Sequence, residues 1–354
     1  MKLEVKSQKK IINVVFDNLW KDFVYSEIRR RNCRAVIVFD KNTETLFSES
    51  VKDIPFIVMS DKQVHKTRPL LDSVQEKLFD MSFTKSDILI GVGGGAVQDL
   101  VALSAAGYLG GIDWISVPTT LNTIVYSTFK GQLNTALGKN TLSYFYPPSA
   151  LVIDLKNISE LTDQSLLVGL VELVRIAVSY DAALFKKLEK DWVNFFIRDE
   201  KLMLGLIKPA IRALSRQYLL GFDSCCFGYT LGESIDWATM YNVPHGIALL
   251  FCMEIELNAG ISAGVINANF TGEIRKFFRS LLDKYPYTAS YKKKIQKMGA
   301  DTLLIPLKYV MKDKDLVPLV LPQKIGKLLS KPVYVPFGVI RDEFDGFFKE
   351  ESGR

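Results

Sequence analysis

Tyr229, Glu233 and His245 raise the question of chemistry in this chain. Tyr229 and Glu233 stand four residues apart in "FGYTLGESID". That spacing places a phenol and a carboxylate on one face of an amphipathic helix. His245, one of only two histidines, follows sixteen residues after Tyr229. Upstream, Glu172 interrupts "LLVGLVELVRIAV", which is apolar on nearly every side. A carboxylate in such a helix must be paired, ligated or protonated. Arg175, three residues on, is one available partner. Carboxylate, imidazole and phenol suit general acid–base work. The first two also ligate divalent ions.

A second constellation lies earlier. "LIGVGGGAVQDL" sets Gly93, Gly94 and Gly95 directly after a β-rich run and before a helical one. Glycine lets backbone N–H groups approach a phosphate, and the helix N-terminus adds its positive dipole end. The spacing is not GxGxxG, and a plain tight turn would use the same residues. "VPTTLNT" follows the next strand, so Thr119 and Thr120 fall beside the glycine turn if the two strands are neighbours. Hydroxyls there serve either as cofactor partners or as helix caps.

The elements that must position these groups are legible. "AVIVFD" (35–40), "FIVM" (56–59), "DILIGV" (87–92), "DWISV" (113–117) and "ALVID" (150–154) read as buried strands. Helical patterns at 68–83 and 96–109 separate them, which argues for a mostly parallel sheet covered by helices. The opening "LEVKSQKKIINVVF" reads as a hairpin feeding that sheet. After about Leu155 the pattern is helical, with Thr162 or Asp163 as an N-cap, to about Leu282 and again from about Ala289 to Lys314. "VPLVLPQKIGKLLSKPVYVP" breaks it with prolines and a short strand signal. The expected division is a Rossmann-like dinucleotide-binding domain over 1–155 and a helical domain over 156–354.

Composition narrows the function classes. The 354 residues are 48% hydrophobic, enough for two cores, and the net charge is +6. The lysines are dispersed, so no nucleic-acid stripe is expected, and the mild excess suits a small anionic substrate. The four cysteines (Cys33, Cys225, Cys226 and Cys252) show no CxxC spacing and form neither a zinc knuckle nor a disulfide framework. "MKLEVKSQKK" lacks an apolar h-region, and no run has the ~20 apolar residues of a membrane span. A cytoplasmic protein is expected.

Taken together, "GGGAVQDLVALSAAGYLGGIDWISVPTTL", "LGKN" (137–140), "GLVELVRIA" (169–177), "FGYTLGESID", "PHG" (244–246), "VHKT" (64–67) and "MKDKDLVPLVLPQKIGK" (311–327) resemble the 3-dehydroquinate synthase family of sugar phosphate cyclases. The resemblance runs in order from about residue 35 to 327. It implies an α/β Rossmann-like NAD-binding domain, an all-α C-terminal domain, a cleft between them that holds the active site, and a homodimer. It also implies NAD and a divalent metal such as zinc. The family oxidises a substrate hydroxyl, eliminates phosphate, reduces the ketone again and closes a carbocycle.

Residue by residue, the resemblance keeps the cofactor half. Gly93, Gly94, Gly95, Asp99, Thr119, Thr120, Lys139 and Asn140 fall on family positions, and Asp40, Asn42 and Lys66 fall where adenosine contacts are expected. Gln98 replaces a family glycine, where its side chain would crowd or hydrogen-bond a pyrophosphate. The substrate half departs. The family's metal Glu and last metal His map to Glu172 and His245, but the first metal His maps to Tyr229 and the catalytic His to Glu233. A family Asp becomes Tyr126, a substrate-binding Arg becomes Phe222, an Asn becomes Cys226 and a Lys becomes Arg175. The lysine of a "GGK" motif maps to Gln132 or, with a shift, Lys130, and Lys312 and Lys314 preserve a phosphate contact. His65 is assigned no chemistry.

Three arrangements of the metal region follow. Glu233 joins Glu172 and His245 as a third ligand; or the region is metal-free, with Glu172 paired to Arg175 and His245 hydrogen-bonded at a helix start; or Glu172 and His245 hold a divalent ion weakly or only together with substrate. Three functions follow in turn. The chain is a divergent cyclase-like enzyme that does not make 3-dehydroquinate, with Glu233 as general base, Tyr229 as neutral donor and Lys139, Asn140 and Arg175 in the catalytic set. Alternatively it is an inactive relative with a binding or scaffolding role, or an NAD(P)-dependent polyol or alcohol dehydrogenase.

Overall fold

A computed structural model describes residues 2–6, 11–16, 19–59, 66–126, 129–136, 138–219, 226–285, 287–311 and 315–349. The chain forms two compact units: residues 1–136 with 140–169, and residues 137–139 with 170–354.

The first unit contains β1 (Lys2–Lys6), β2 (Ile11–Phe16), α1 (Trp20–Arg31), β3 (Ala35–Phe39), α2 (Lys41–Phe47), β4 (Phe56–Val58), α3 (Arg68–Asp80), β5 (Ile88–Gly93), α4 (Gly95–Gly107), β6 (Asp113–Pro118), α5 (Leu121–Tyr126), β7 (Lys130–Thr135), β8 (Gly138–Phe145), β9 (Ala150–Ile153), α6 (Leu155–Ser159) and the start of α7 (Asp163–Tyr180). Seven strands form one sheet in the order β1-β2-β9-β6-β5-β3-β4. The β1–β2 hairpin is antiparallel, and every other pair is parallel. Strand alternation explains both cores. Val36, Val38 and Leu89 face α3 and α4 through Leu70, Val74, Leu100 and Val101. Ile37, Phe39, Ile88, Ile90 and Val92 face the other way, onto Trp20 and Val24 of α1. The chain runs from β3 to its neighbour β4, then returns to the opposite side of β3 as β5. The carboxyl ends of β3 and β5 therefore flank a topological switch point, the place where open α/β sheets bind ligands.

The second unit is helical: most of α7, then α8 (Ala182–Phe195), α9 (Glu200–Leu219), α10 (Tyr229–Ala238), α11 (His245–Ser262), α12 (Thr271–Lys284), α13 (Tyr287–Leu303) and α14 (Phe337–Lys349). Four short strands, β10 (Leu316–Leu319), β11 (Pro322–Lys324), β12 (Lys327–Leu328) and β13 (Val333–Pro336), precede α14. α11 is buried along nearly its whole length. α10 packs on it through Gly228, whose φ is +82°. A Cβ on that residue would lie 2.5 Å from Met253 Cγ, so the approach requires glycine.

The sequence-based helix expected to reach Lys314 ends at Leu303, and a 3-10 turn (Ile305–Tyr309) follows it. The β7–β8 hairpin was not foreseen. It places Lys139 and Asn140 on a strand.

Candidate active site

In the first unit, the switch point is built from three turns. α4 begins at Gly95, and its N-cap Gly94 makes no side-chain cap, so the helix N-terminus has no competing anion of its own. A Cβ on Gly93 would lie 2.5 Å from Val97 Cγ2 and 3.2 Å from Asp40 Oδ2, so Asp40 stands against the glycine turn. The other oxygen of Asp40 accepts from Thr43 N at 2.9 Å and caps α2, on which Asn42 is exposed. Thr119 N–H donates to Gly93 O at 3.1 Å, which ties the β6 turn to the glycine turn. Thr120 Oγ1 lies 2.6 Å from Thr123 Oγ1 and caps α5. Asp99, on the second turn of α4, is buried and pairs with Lys66. Its Oδ1 has no hydrogen-bond partner among the described residues. A bare helix N-terminus, a glycine turn and an orphaned buried carboxylate oxygen fit a dinucleotide.

Gln98 takes neither role suggested by the sequence. Its amide donates to the carbonyls of Gly91, Gly93 and Val117 at 2.9, 3.2 and 3.3 Å. Its oxygen accepts from Ser116 Oγ at 2.8 Å. The side chain is fully buried and braces β5 against β6 from beneath the turn.

The second unit brings the other chemistry together. Glu172 is fully buried, and both its oxygens are engaged. Oε2 accepts from Arg175 Nε at 2.7 Å, and Oε1 accepts from Tyr229 Oη at 2.5 Å. Burial raises the Glu172 pKa, but the Arg175 charge, helped by His245 and Tyr229, outweighs it and holds the carboxyl at about 2. The Arg175 guanidinium lies 5.1 Å from the Tyr229 ring centroid, and its Nη1 and Nη2 have no hydrogen-bond partner among the described residues. His245, the first residue of α11, sits with Nε2 3.4 Å from Glu172 Oε1, within ion-pair range but without hydrogen-bond geometry. Its Nδ1 bonds Asp236 Oδ2 at 2.6 Å. The same oxygen accepts from Lys139 Nζ at 2.5 Å.

The chain of charge therefore runs Lys139–Asp236–His245–Glu172–Arg175. Burial opposes ionisation of Asp236, but Lys139 and His245 hold it at about 2. Burial and Lys139 push the His245 pKa down, and the contacts with Asp236 and Glu172 push it up; the net shift is upward. Glu233 is half-buried one turn after Tyr229, and its charge helps raise the Lys139 pKa. Asn140 N–H donates to Asn134 Oδ1 at 3.0 Å and belongs to the first unit.

These residues do not fit a divalent ion. Glu233 does not complete a trio with Glu172 and His245: among the described residues no three His, Cys, Asp or Glu side chains are grouped to hold a metal. The Glu172 charge is already neutralised by a guanidinium. Its other oxygen faces a phenol, a poor zinc ligand until it loses its proton.

Two residues of this region escaped the sequence reading. Asp236 lies two helical turns after Tyr229, and the same periodicity that linked Tyr229 to Glu233 extends to it. Glu256 is fully buried on α11 and accepts from Gly228 N at 2.7 Å and Leu231 N at 3.1 Å, capping α10 from its neighbour. Its signal was a carboxylate in an apolar run, as for Glu172. His65, Phe222, Lys312, Lys314 and the Tyr126 side chain lie outside the described residues. Lys130 and Gln132 are buried on β7, where the Lys130 charge and the Gln132 N–H both act on Asp99.

Residues 56–168 match the family model of the 3-dehydroquinate synthase N-terminal region. The chain is 30% identical to the 3-dehydroquinate synthase of Pseudoalteromonas atlantica, over 65% of this chain and 69% of that enzyme. It is also 30% identical to that of Geobacter metallireducens, over 64% of this chain and 65% of that enzyme. The chain belongs to the 3-dehydroquinate synthase family. Its fold is that of 2-deoxy-scyllo-inosose synthase, solved with carbaglucose-6-phosphate, NAD+ and Co2+ (TM-score 0.83, 19% identity, 98% of this chain and 100% of that one). ValA, the 2-epi-5-epi-valiolone synthase of Streptomyces hygroscopicus, solved with NAD+ and Zn2+, shares it (TM-score 0.77, 20% identity, 99% and 100%).

Proposed function

We propose that this chain is an NAD-binding, sugar phosphate cyclase-like enzyme that acts on a phosphorylated or acidic sugar-like substrate and does not form 3-dehydroquinate. The observation that carries the proposal is the joint survival of the bare α4 N-terminus beside Asp40 and the continuous Lys139–Asp236–His245–Glu172 chain. In this reading Gly93, Gly94 and Gly95 receive the pyrophosphate, and Asp40 and Asn42 face the adenosine. Lys66, Asp99, Thr119 and Thr120 line the rest of the NAD site. Bound there, NAD supplies reversible hydride transfer.

The chain's own residues then divide the remaining work. Lys139 stays cationic because Asp236 and Glu233 surround it, and it holds a substrate oxyanion. Glu172, pinned by Arg175, is no base; it orients Tyr229 and faces His245. Glu233, half-buried on the face that carries Tyr229, is the carboxylate positioned to take a proton. The family's metal role is not assigned, because the donor set opposes it. The protein works as a cytoplasmic homodimer.

Gly94→Val tests the cofactor site. The Gly94 backbone is ordinary, and an added Cβ would meet only Thr120 Cγ2 at 3.7 Å, so the fold should tolerate the change. Titration calorimetry should show NAD bound by the wild-type chain and weakened at least about tenfold in the variant, with thermal stability unchanged. Equal NAD affinity in the two proteins would contradict the assignment. A mass-spectrometric screen of sugar phosphates with the NAD-loaded protein then identifies the substrate.

A further inference from the structure

A pocket of about 190 Å³ lies wholly within the second unit, between the end of α7 and the segment 326–332. Its architecture is fixed by the turn that joins β11 to β12. Gly326 N–H donates to Val178 O at 2.8 Å, and Gly326 holds φ +81° against Ala182, where a Cβ would come within 2.5 Å of backbone nitrogen. Leu329 N–H donates to Leu321 O at 3.0 Å and sets the far wall. The pocket is therefore built from backbone that cannot easily relax.

Its lining has a definite chemistry. Val320, Leu328, Leu329 and Pro332 supply an apolar wall. Ser179 also lines it, fully buried, and its hydroxyl has no hydrogen-bond partner among the described residues. A buried, unsatisfied hydroxyl is costly unless something pairs with it. Lys327 and Lys331 stand at the pocket, both exposed. Neither has an ion-pair partner among the described residues, and no acidic side chain lines the pocket.

We propose that this pocket binds a small carboxylate with a compact apolar body, such as a six-membered ring. The carboxylate meets Lys327 and Lys331, and the body packs on Leu328, Leu329 and Val320. The Ser179 hydroxyl is satisfied by the ligand or by a water that the ligand traps. The inference is independent of the function proposed above, since none of these residues belongs to the cofactor turn or to the charged chain.

Cyclohexanecarboxylate and cyclohexylmethanol are suitable probes on the full chain, because they share a body and differ in charge. Saturable binding of the carboxylate is expected by titration calorimetry or ligand-observed NMR, with the alcohol at least about tenfold weaker. The double variant K327E/K331E changes exposed side chains only and should retain its thermal stability while losing carboxylate binding. S179A, which removes only the hydroxyl oxygen, should weaken both probes together. Absence of saturable carboxylate binding, equal affinity for the two probes, or unchanged affinity in K327E/K331E would overturn the proposal. So would inorganic phosphate binding at this pocket in preference to the carboxylate.

Discussion

Tyr229 Oη donates to Glu172 Oε1 across 2.5 Å, and the opposite oxygen of Glu172 is held by Arg175. This buried carboxylate is thus closed by a phenol on one side and a guanidinium on the other. The charge that an ion would supply is supplied by the protein's own side chain.

Arg175 should therefore matter more for stability than an ordinary arginine. Arg175→Met leaves a buried carboxylate unpaired and should cost roughly 3–5 kcal/mol at neutral pH. Glu172 is held at about 2, so its contribution is present above the ordinary carboxylate range and is lost only as pH falls toward about 2. In the variant Glu172 regains a higher pKa and can protonate. The stability gap between wild type and variant should narrow between pH 7 and pH 4, as read by denaturant unfolding. Arg175→Lys should restore most of the loss.

His245 offers a direct titration, because only two histidines need to be resolved by NMR. Its pKa is raised, so its pairing stabilises the fold fully below the unfolded value of about 6.5 and loses that effect as pH rises through the folded value. Asp236→Asn removes the main upward influence. One histidine resonance should shift its midpoint downward in that variant, and the stability–pH curve should flatten across the same window.

Glu256 makes a separate prediction. Burial pushes its carboxyl up to about 8, against the pull of the Leu231 and Gly228 N–H groups. The raised value means that its contribution is complete below the ordinary carboxylate range and declines as pH rises through about 8. Glu256→Gln should remove that pH dependence, at a cost below that of the alanine variant, because its amide oxygen satisfies one of the two N–H groups and its NH2 cannot accept from the other. Glu256→Ala, which leaves two buried N–H groups unsatisfied at the start of α10, should cost about 1–3 kcal/mol.

Much of this was legible in the sequence, for identifiable reasons. The parallel strands announced themselves because β-branched runs such as "AVIVF" are buried on both faces. The Glu172–Arg175 pair followed from three-residue spacing in an apolar helix. The β7–β8 hairpin did not show, because its polar positions, including the half-buried Lys139 and Asn140, carry little strand signal. Gln98 was expected at a phosphate, but its amide instead satisfies three carbonyls at the ends of β5 and β6; such pairing depends on strand adjacency that no local pattern encodes. Asp236 was missed because the helical face was followed for one turn and not two.

We propose that Arg175 and Tyr229, by engaging both oxygens of Glu172, leave no place there for a tightly held ion. Zinc titration of the NAD-loaded wild-type protein, read by calorimetry alongside Tyr229→His/Arg175→Lys, tests this most directly. The double variant should take up one tightly held zinc ion, and the wild-type chain should show no stoichiometric binding. A saturable, one-to-one zinc isotherm in the wild-type protein that disappears in Glu172→Gln would contradict it.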